Sequence, residues 1–351
     1  MVTALKTSIN ILLVFLFAAC TSVPDERMTP YVDFPETREL TARTLSLDSA
    51  LFRYPYRVRV QDDKAVVLDL HGTEYFFHAF HYPGFHYLSS FGKRGDAPEE
   101  MLSAENLRWN GNFLWTLDSN KSELTRLGFA SSGDSLLRLE AVSLDEELLR
   151  ALDFVQYDDS TFIIPDYSGD SRFCLVSRQG KLLHKIGTIP TTDEDALKNA
   201  HPALAQAWRS FIDYNPRNGV LAAVTQLGEV LEIYNLKDST HIVRIGPNGE
   251  PEFQISQGYG IPTGIMGFSD IQVTDSAIYV VFQGRAFKDI MQKAQQGINL
   301  PDGGQNIYVF SLEGKPLRKY VLDHYIHGIS VDEQKGIIIA TDVNKDEPII
   351  E

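Results

Sequence analysis

His78, His81 and His86 crowd the stretch FFHAFHYPGFHY and make the most metal-like pattern in the chain. On a strand, His78 and His81 point to opposite faces because side chains alternate. A turn at Pro83-Gly84 would bring His78 towards His86. That supplies two ligands where zinc needs three or four, so aromatic hairpin packing is expected and no metal. Asp342-Val-Asn344-Lys-Asp346 opens like a calcium loop, but Glu347 stands where glycine is required and no acid follows at the twelfth position. GYGIPTG (258–264) has a proline inside a GxGxxxG spacing and reads as a loop, not a dinucleotide fingerprint. Arg94-Gly95-Asp96 is short enough to recur by chance and reads as a connector between two structural units. No GxSxG elbow, HExxH motif or zinc-spaced cysteine pair occurs, so neither a catalytic residue nor a cofactor is expected.

A different set recurs at one register. Arg59, Arg108, Gln156, Asp213, Gln272 and Ser330 are each the middle of an apolar–polar–apolar triplet, as in Val58-Arg59-Val60 and Ile329-Ser330-Val331. Such alternation is the strand period. If the fold gathers these strands, their polar members line a central channel. Two arginines could hold a carboxylate or phosphate through paired donors; the alternative is pairing within the protein, Arg108 with Asp213 for example. Arg285, after Gly284, is a further candidate for ligand contact.

The elements that would position these residues form a repeat. VVLD (66–69), WTLD (115–118), IIPD (163–166) and IATD (339–342) each end an apolar run in Asp, and runs ending at Gln226 and Gln283 fill the gap. Successive steps are 49, 48, 60, 57 and 59 residues, and each triplet lies ten to thirteen residues before its run ends. Units of this length match four-stranded propeller blades. The expectation is an all-β fold, a six-bladed propeller of antiparallel four-stranded blades. Asp69, Asp118, Asp166 and Asp342 read as caps of turns, or alternatively as a lining of one face of the ring. Gly180 and Gly314 sit where outer hairpins need a positive φ. The last unit lacks an outer strand, which ELTARTLSL (39–47) is expected to supply, closing the ring. TDEDALKNAHPALAQAWRSFID (192–213) interrupts the β rhythm with helical spacing; Thr192 is the expected N-cap and Pro202 the break.

The N-terminus joins Lys6 to the apolar run ILLVFLFAA (11–19) and then Cys20, a pattern that resembles a bacterial lipoprotein signal. That resemblance implies removal of residues 1–19, lipidation of Cys20, a tether over 20–37 and a propeller over 38–351. The membrane is then a partner through this anchor, with the outer membrane expected; an ordinary signal with an incidental cysteine is the alternative. Cys174, within FCLV, reads as a buried inert thiol. With 47 Asp+Glu against 32 Lys+Arg, nucleic acid is not an expected partner. A monomer is expected.

Several stretches together resemble the TolB-like six-bladed propeller family of bacterial lipoproteins: FGKRGDAPEEM (91–101), HPALAQAWRSFIDYNPRNGVLAAVTQLGEVLEIYNL (201–236), GFSDIQVTDSAIYVVFQGR (267–285), IYVFSLEGKPLRKYVLD (307–323) and ISVDE (329–333). The resemblance implies a secreted, membrane-anchored propeller and no established reaction. The expected function is a non-catalytic module or scaffold that binds a small molecule, glycan or protein. Two alternatives stay open: a metal-dependent (calcium) hydrolase or lactonase using the central channel, and a purely structural assembly subunit.

Overall fold

A computed structural model describes residues 29–344 apart from 46, 48–51 and 132, together with the backbone of Ile349–Ile350. The expected signal peptide, Cys20, the tether as far as residue 28, and Asp346 lie outside the described residues.

Two short strands come first, β1 (Thr29–Pro30) and β2 (Thr37–Leu40). The first blade is β3 (Pro55–Gln61), β4 (Lys64–Asp69), β5 (Tyr75–His81) and β6 (His86–Lys93). The second is β7 (Leu107–Asn110), β8 (Phe113–Asp118), β9 (Glu123–Phe129) and β10 (Leu136–Ser143). The third is β11 (Val155–Gln156), β12 (Thr161–Pro165), β13 (Phe173–Ser177) and β14 (Leu182–Ile186). Helices α1 (Glu194–Asn199) and α2 (His201–Ala207) lead to the fourth: β15 (Ser210–Asn215), β16 (Val220–Thr225), β17 (Val230–Asn235) and β18 (Thr240–Ile245). A hairpin, β19 (Phe253–Ser256) and β20 (Tyr259–Pro262), precedes β21 (Phe268–Val273) and β22 (Ala277–Phe282) of the fifth blade. Helix α3 (Phe287–Gln295) intervenes before its outer strands β23 (Gly304–Ser311) and β24 (Pro316–Ile326). A three-stranded sheet, β25 (Ile329–Asp332), β26 (Ile337–Asp342) and β27 (Ile349–Ile350), comes last.

In each of the five blades the four strands pair in chain order as an antiparallel meander. The first strands are neighbours in the order β3, β7, β11, β15 and β21, and β25 lies between β21 and β3. This is an all-β propeller, with the first strands around its axis. The second strands read KAVVLD, FLWTLD, TFIIP, VLAAVT and AIYVVF because neighbouring blades cover both of their faces, leaving almost every position buried. Trp115 of β8 meets Phe162 of β12 with ring centroids 5.0 Å apart. Burying one such side chain contributes roughly 1.5–3 kcal/mol. The outer strand β10, LLRLEAVS, alternates half-buried and exposed positions along most of its length, as an edge should. Gly180 and Gly314 do adopt positive φ, 82° and 75°, in the outer turns.

The N-terminal segment departs from expectation. Among the described residues its strands pair elsewhere than with the last sheet: β1 pairs in parallel with β18 of the fourth blade, and β2 with β24 of the fifth, Leu40 opposite Leu322. The reason is upstream of residue 39. Phe34 packs against Tyr308 and Phe310, centroids 4.6 and 5.2 Å away, and Glu36 pairs with Arg318, so the segment is registered on the fifth blade before Leu40 is reached. Leu45 and Leu47 then pack on Phe52, Val58 and Ile339, at the seam between the last sheet and the first blade. Tyr31 and Phe34, within the segment read as a tether, are buried.

The helical insertion is also shorter than the spacing predicts. It ends at Ala207, because Ser210–Asp213 already belongs to β15. Asp193, not Thr192, caps α1 by accepting the Ala196 N–H at 2.9 Å, while Thr192 donates to Glu250. Pro202 sits in the first turn of α2, where its missing N–H costs nothing. GYGIPTG is not a loop throughout, since Tyr259–Pro262 forms β20.

Candidate ligand-binding cavity

The six triplet residues converge. Arg59, Arg108, Gln156, Asp213, Gln272 and Ser330 line one cavity of about 490 Å³ at the end of the axis where the first strands finish. Trp109, Tyr157 and Tyr214, each one residue further along, form its walls, and Gln61 and Asn110 at the strand ends with Asp158 and Arg217 from the following turns form its mouth. Arg285 is elsewhere. It donates to the carbonyls of Pro301 and Gly303, tying down the segment after α3. A larger groove of about 680 Å³ runs along the rim of the second and third blades. Its Arg178 is already held by Glu140 at 2.6 Å and only two blades wall it, so the axial cavity is the candidate site.

The geometry follows from an unpaired edge. A first strand has a sheet partner on one side only, so its N–H groups on the other side need acceptors. Side chains of the preceding blade provide them. Asp213 accepts the Val273 N–H at 2.7 Å, Gln272 accepts the Val331 N–H at 2.7 Å, and Ser330 accepts the Val60 N–H at 3.1 Å. Deeper along the axis, Asp153 accepts the Ile212 N–H at 2.9 Å and Asp270 the Ile329 N–H at 2.8 Å.

Both cavity arginines are spoken for. Arg59 donates in a bidentate fashion to Asp270 at 2.8 and 2.9 Å, and to the Ile329 carbonyl at 2.7 Å. Arg108 donates to Asp213 at 3.2 Å, to both oxygens of Asp153 at 3.2 Å, and to the Ile212 carbonyl. Each guanidinium spans past the sheet between, whose own register position is the uncharged Ser330 or Gln156. Burial opposes ionisation of Asp270, but Arg57 and Arg59 outweigh it and hold its carboxyl down at about 2. For Asp213 burial wins over Arg108 and Arg59, and its carboxyl is raised. Gln156 donates to the Asp158 carbonyl at 3.0 Å, whereas its buried Oε1 meets no donor of the protein.

Beyond this layer the axis is filled. Arg57, fully buried, reaches from the first blade to Phe211 of the fourth and Asp270 of the fifth. Its guanidinium lies between the rings of Tyr56 and Phe211, 4.1 and 4.5 Å from their centroids, and donates to His327 Nδ1 at 3.1 Å. Burial first, and then Arg57, push the His327 imidazole down to about 3, so it stays neutral at ordinary pH.

The other sequence candidates fall into local roles. Asp69 accepts the N–H groups of Arg53 and Tyr54, Asp118 those of Leu102, Asn120 and Lys121, and Asp166 those of Ser168 and Ser171. Asp342 accepts the Asn344 N–H at 2.8 Å, closing the turn that mimics a calcium loop. His78 is not paired with His86: its cross-strand partner is Ser90, 2.7 Å from Nδ1, and His86 lies opposite His81. A register shift between Ala79 and Phe80 moves the pairing. Among the described residues, no three His, Cys, Asp or Glu side chains are arranged to hold one metal ion. Cys174 is buried, and burial pushes its thiol up to about 12, an unreactive state.

Sequence reasoning missed the deeper pair, Asp153 and Asp270. Asp270 lies two residues before its register position and Asp153 three, so no common spacing marks them. Of the mouth residues, Gln61, Asn110 and Asp158 each follow a register position by two, a signal that was in the sequence and went unread, whereas Arg217 sits in a turn at another spacing.

Two solved structures share the fold. One is a Bacteroides fragilis protein described as exported, 11% identical, with 87% of this chain and 88% of that chain covered and a TM-score of 0.55. The other is a member of the DUF4221 family from Bacteroides vulgatus, 10% identical, with 88% and 93% covered and a TM-score of 0.54. No curated protein matches the chain in sequence. The family described as TolB-like 6-blade propeller-like matches residues 33–334, and the chain belongs to that family.

Proposed function

We propose that the chain is a monomeric, non-catalytic binding module of the bacterial cell envelope. The sheet β25–β27 counts as its sixth blade, and the N-terminus is lipid-anchored through Cys20 at the outer membrane. The ligand is a neutral polyhydroxylated molecule of the glycan class, taken up in the axial cavity. The observation that carries this reading is the neutralisation of Arg59 and Arg108 by Asp270, Asp153 and Asp213. With those charges cancelled, an incoming carboxylate or phosphate finds no free cation on the cavity floor. What remains on the floor and walls is amide, hydroxyl and aromatic, Gln61, Asn110 and Gln156 beside Trp109, Tyr157 and Tyr214, while the charges of the mouth are Asp158, Asp159 and an Arg217 already paired with Asp275 at 2.6 Å. Planar rings and amide groups suit the apolar faces and hydroxyls of a sugar.

The test uses tryptophan emission. The chain has three tryptophans, and Trp115 and Trp208 are buried at 1% exposure while Trp109 walls the cavity. Titration with a panel of neutral oligosaccharides should change the emission of the wild type and not of Trp109→Phe. Binding confined to organic anions, and weakened by salt, overturns the ligand class. Stoichiometric calcium after purification, with a large loss of melting temperature in EDTA, would instead favour the metal-dependent hydrolase reading.

A further inference from the structure

The axial cavity is a blind pocket. Its floor is closed by side chains that reach across the ring: Arg59 donates to Asp270 and to the Ile329 carbonyl, and Arg108 to Asp213 and to the Ile212 carbonyl. Both arginines are 7% exposed. Beneath them Arg57, at 0% exposure, fills the axis between the rings of Tyr56 and Phe211. A ligand therefore enters from the mouth and cannot thread the ring. The wall draws on β3, β7, β11, β15, β21 and β25. From Arg59 to Gln61 it rises by two residue steps, roughly 7 Å at about 3.4 Å per residue. That depth, in a volume of about 490 Å³, takes roughly the last one or two rings of a sugar chain and no long stretch of it.

One side of the wall is aromatic and already set. Trp109, Tyr157 and Tyr214 come from three consecutive blades, where the first and fifth blades carry Val60 and Val273 at the same step. Trp109 Nε1 donates to the Arg59 carbonyl at 3.2 Å, and its ring stacks on Phe129 with centroids 6.3 Å apart and planes 13° from parallel. What it presents is ring, with the N–H already used. Tyr157 and Tyr214 meet with centroids 5.6 Å apart at 52°, a faceted wall that suits the apolar face of one sugar ring. The mouth then sorts by charge. One oxygen of Asp158 accepts from Ser160 and Thr161, and neither Asp158 nor Asp159 has a cationic partner among the described residues. Arg217 is held by Asp275 at 2.6 Å and does not offset them. A carboxylate or phosphate passing this point is repelled.

We propose that the cavity reads the end of a glycan chain: a neutral terminal sugar enters against the aromatic wall while the rest of the chain stays outside the mouth. The inference rests on the glycan reading of the site and adds which part of the glycan is recognised. The experiment titrates the purified protein with the linear series built on maltose, cellobiose, laminaribiose and mannobiose, each extended stepwise to its longest soluble member. Calorimetry gives the affinity, and Trp109 emission reports whether the sugar sits in the cavity. Affinity per mole of chain should stay within about twofold from trisaccharide to the longest member, whereas a site for internal stretches tightens as longer chains offer more of them. Oxidising one end of the bound trisaccharide to a carboxylate should weaken binding at least about fivefold, and oxidising the other should not, which identifies the end that enters. Affinity that climbs with chain length, or that ignores oxidation of both ends, overturns chain-end recognition while Trp109-reported binding keeps the glycan reading. Binding to none of the series, or binding without a change in Trp109 emission, overturns both.

Discussion

Arg59–Asp270 and Arg108–Asp213 are the same pair of residue types, each thrown across the axis past one blade, yet the two crossings behave differently. Asp270 is 1% exposed, holds Arg59 through two short bonds, and has Arg57 on its other side at 3.2 Å. Asp213 keeps 15% of its side chain open to the cavity and meets Arg108 through one contact of 3.2 Å, Arg108 being shared with Asp153. Arg57 and Arg59 in contact with the carboxylate overcome desolvation in the first case; Arg108, shared with Asp153, together with Arg59 does not in the second. The deep crossing is therefore a clamp, and the shallow one is part of the cavity wall.

The largest expected effect breaks the clamp. Asp270→Asn leaves Arg57 and Arg59 buried without a counter-ion, and urea unfolding at pH 7 should show a loss of about 3–5 kcal/mol. Loss below about 1 kcal/mol would dissolve the distinction between the crossings.

His327 sharpens the same end of the axis. Its folded value of about 3 lies below the ordinary 6.5, so the unfolded chain takes up a proton first and stability falls as pH drops from 6.5 towards 3. Between pH 7 and 5 that amounts to about 2 kcal/mol. His327→Asn keeps an acceptor for Arg57 and should flatten this slope in denaturation curves taken across the range.

The shallow crossing should respond in the opposite sense. Because the folded pKa of Asp213 is raised, its ionised form costs stability at neutral pH, and the cost is relieved as pH falls through the folded value. Asp213→Asn retains an acceptor for the Val273 N–H, and stability at pH 7 should stay within about 1 kcal/mol of wild type. Carboxyl carbon shifts in a titration give the smallest and most direct reading. Asp270 should titrate near 2 and Asp213 above the usual aspartate range; a reversed order contradicts the assignment.

Much of this was legible in the sequence where a period exists. The runs ending in Asp or Gln mark strands covered on both faces, and the triplets mark the axis, so six polar residues from six distant segments meet in one cavity. Aperiodic features were not legible. The parallel pairing of β1 and β2 uses backbone groups, which any sequence carries, and its register is set by a few isolated contacts of Tyr31, Phe34 and Glu36. Asp270 follows a bulge after Phe268 that breaks the strand alternation. Helix α3 does announce itself through Phe287, Ile290, Met291 and Ala294, a spacing hidden by the strong strand signals on either side.

The way the N-terminal segment is laced onto the ring also fixes how the molecule bears load. A pull on the N-terminus acts first on the short β1–β18 pairing and the Tyr31–Glu229 contact, on the outside of the fourth blade. Only after these yield is the force passed to Phe34 and β2 on the fifth blade, while the axial clamp lies outside this path. Loaded in this way, the segment is expected to yield before the cavity does.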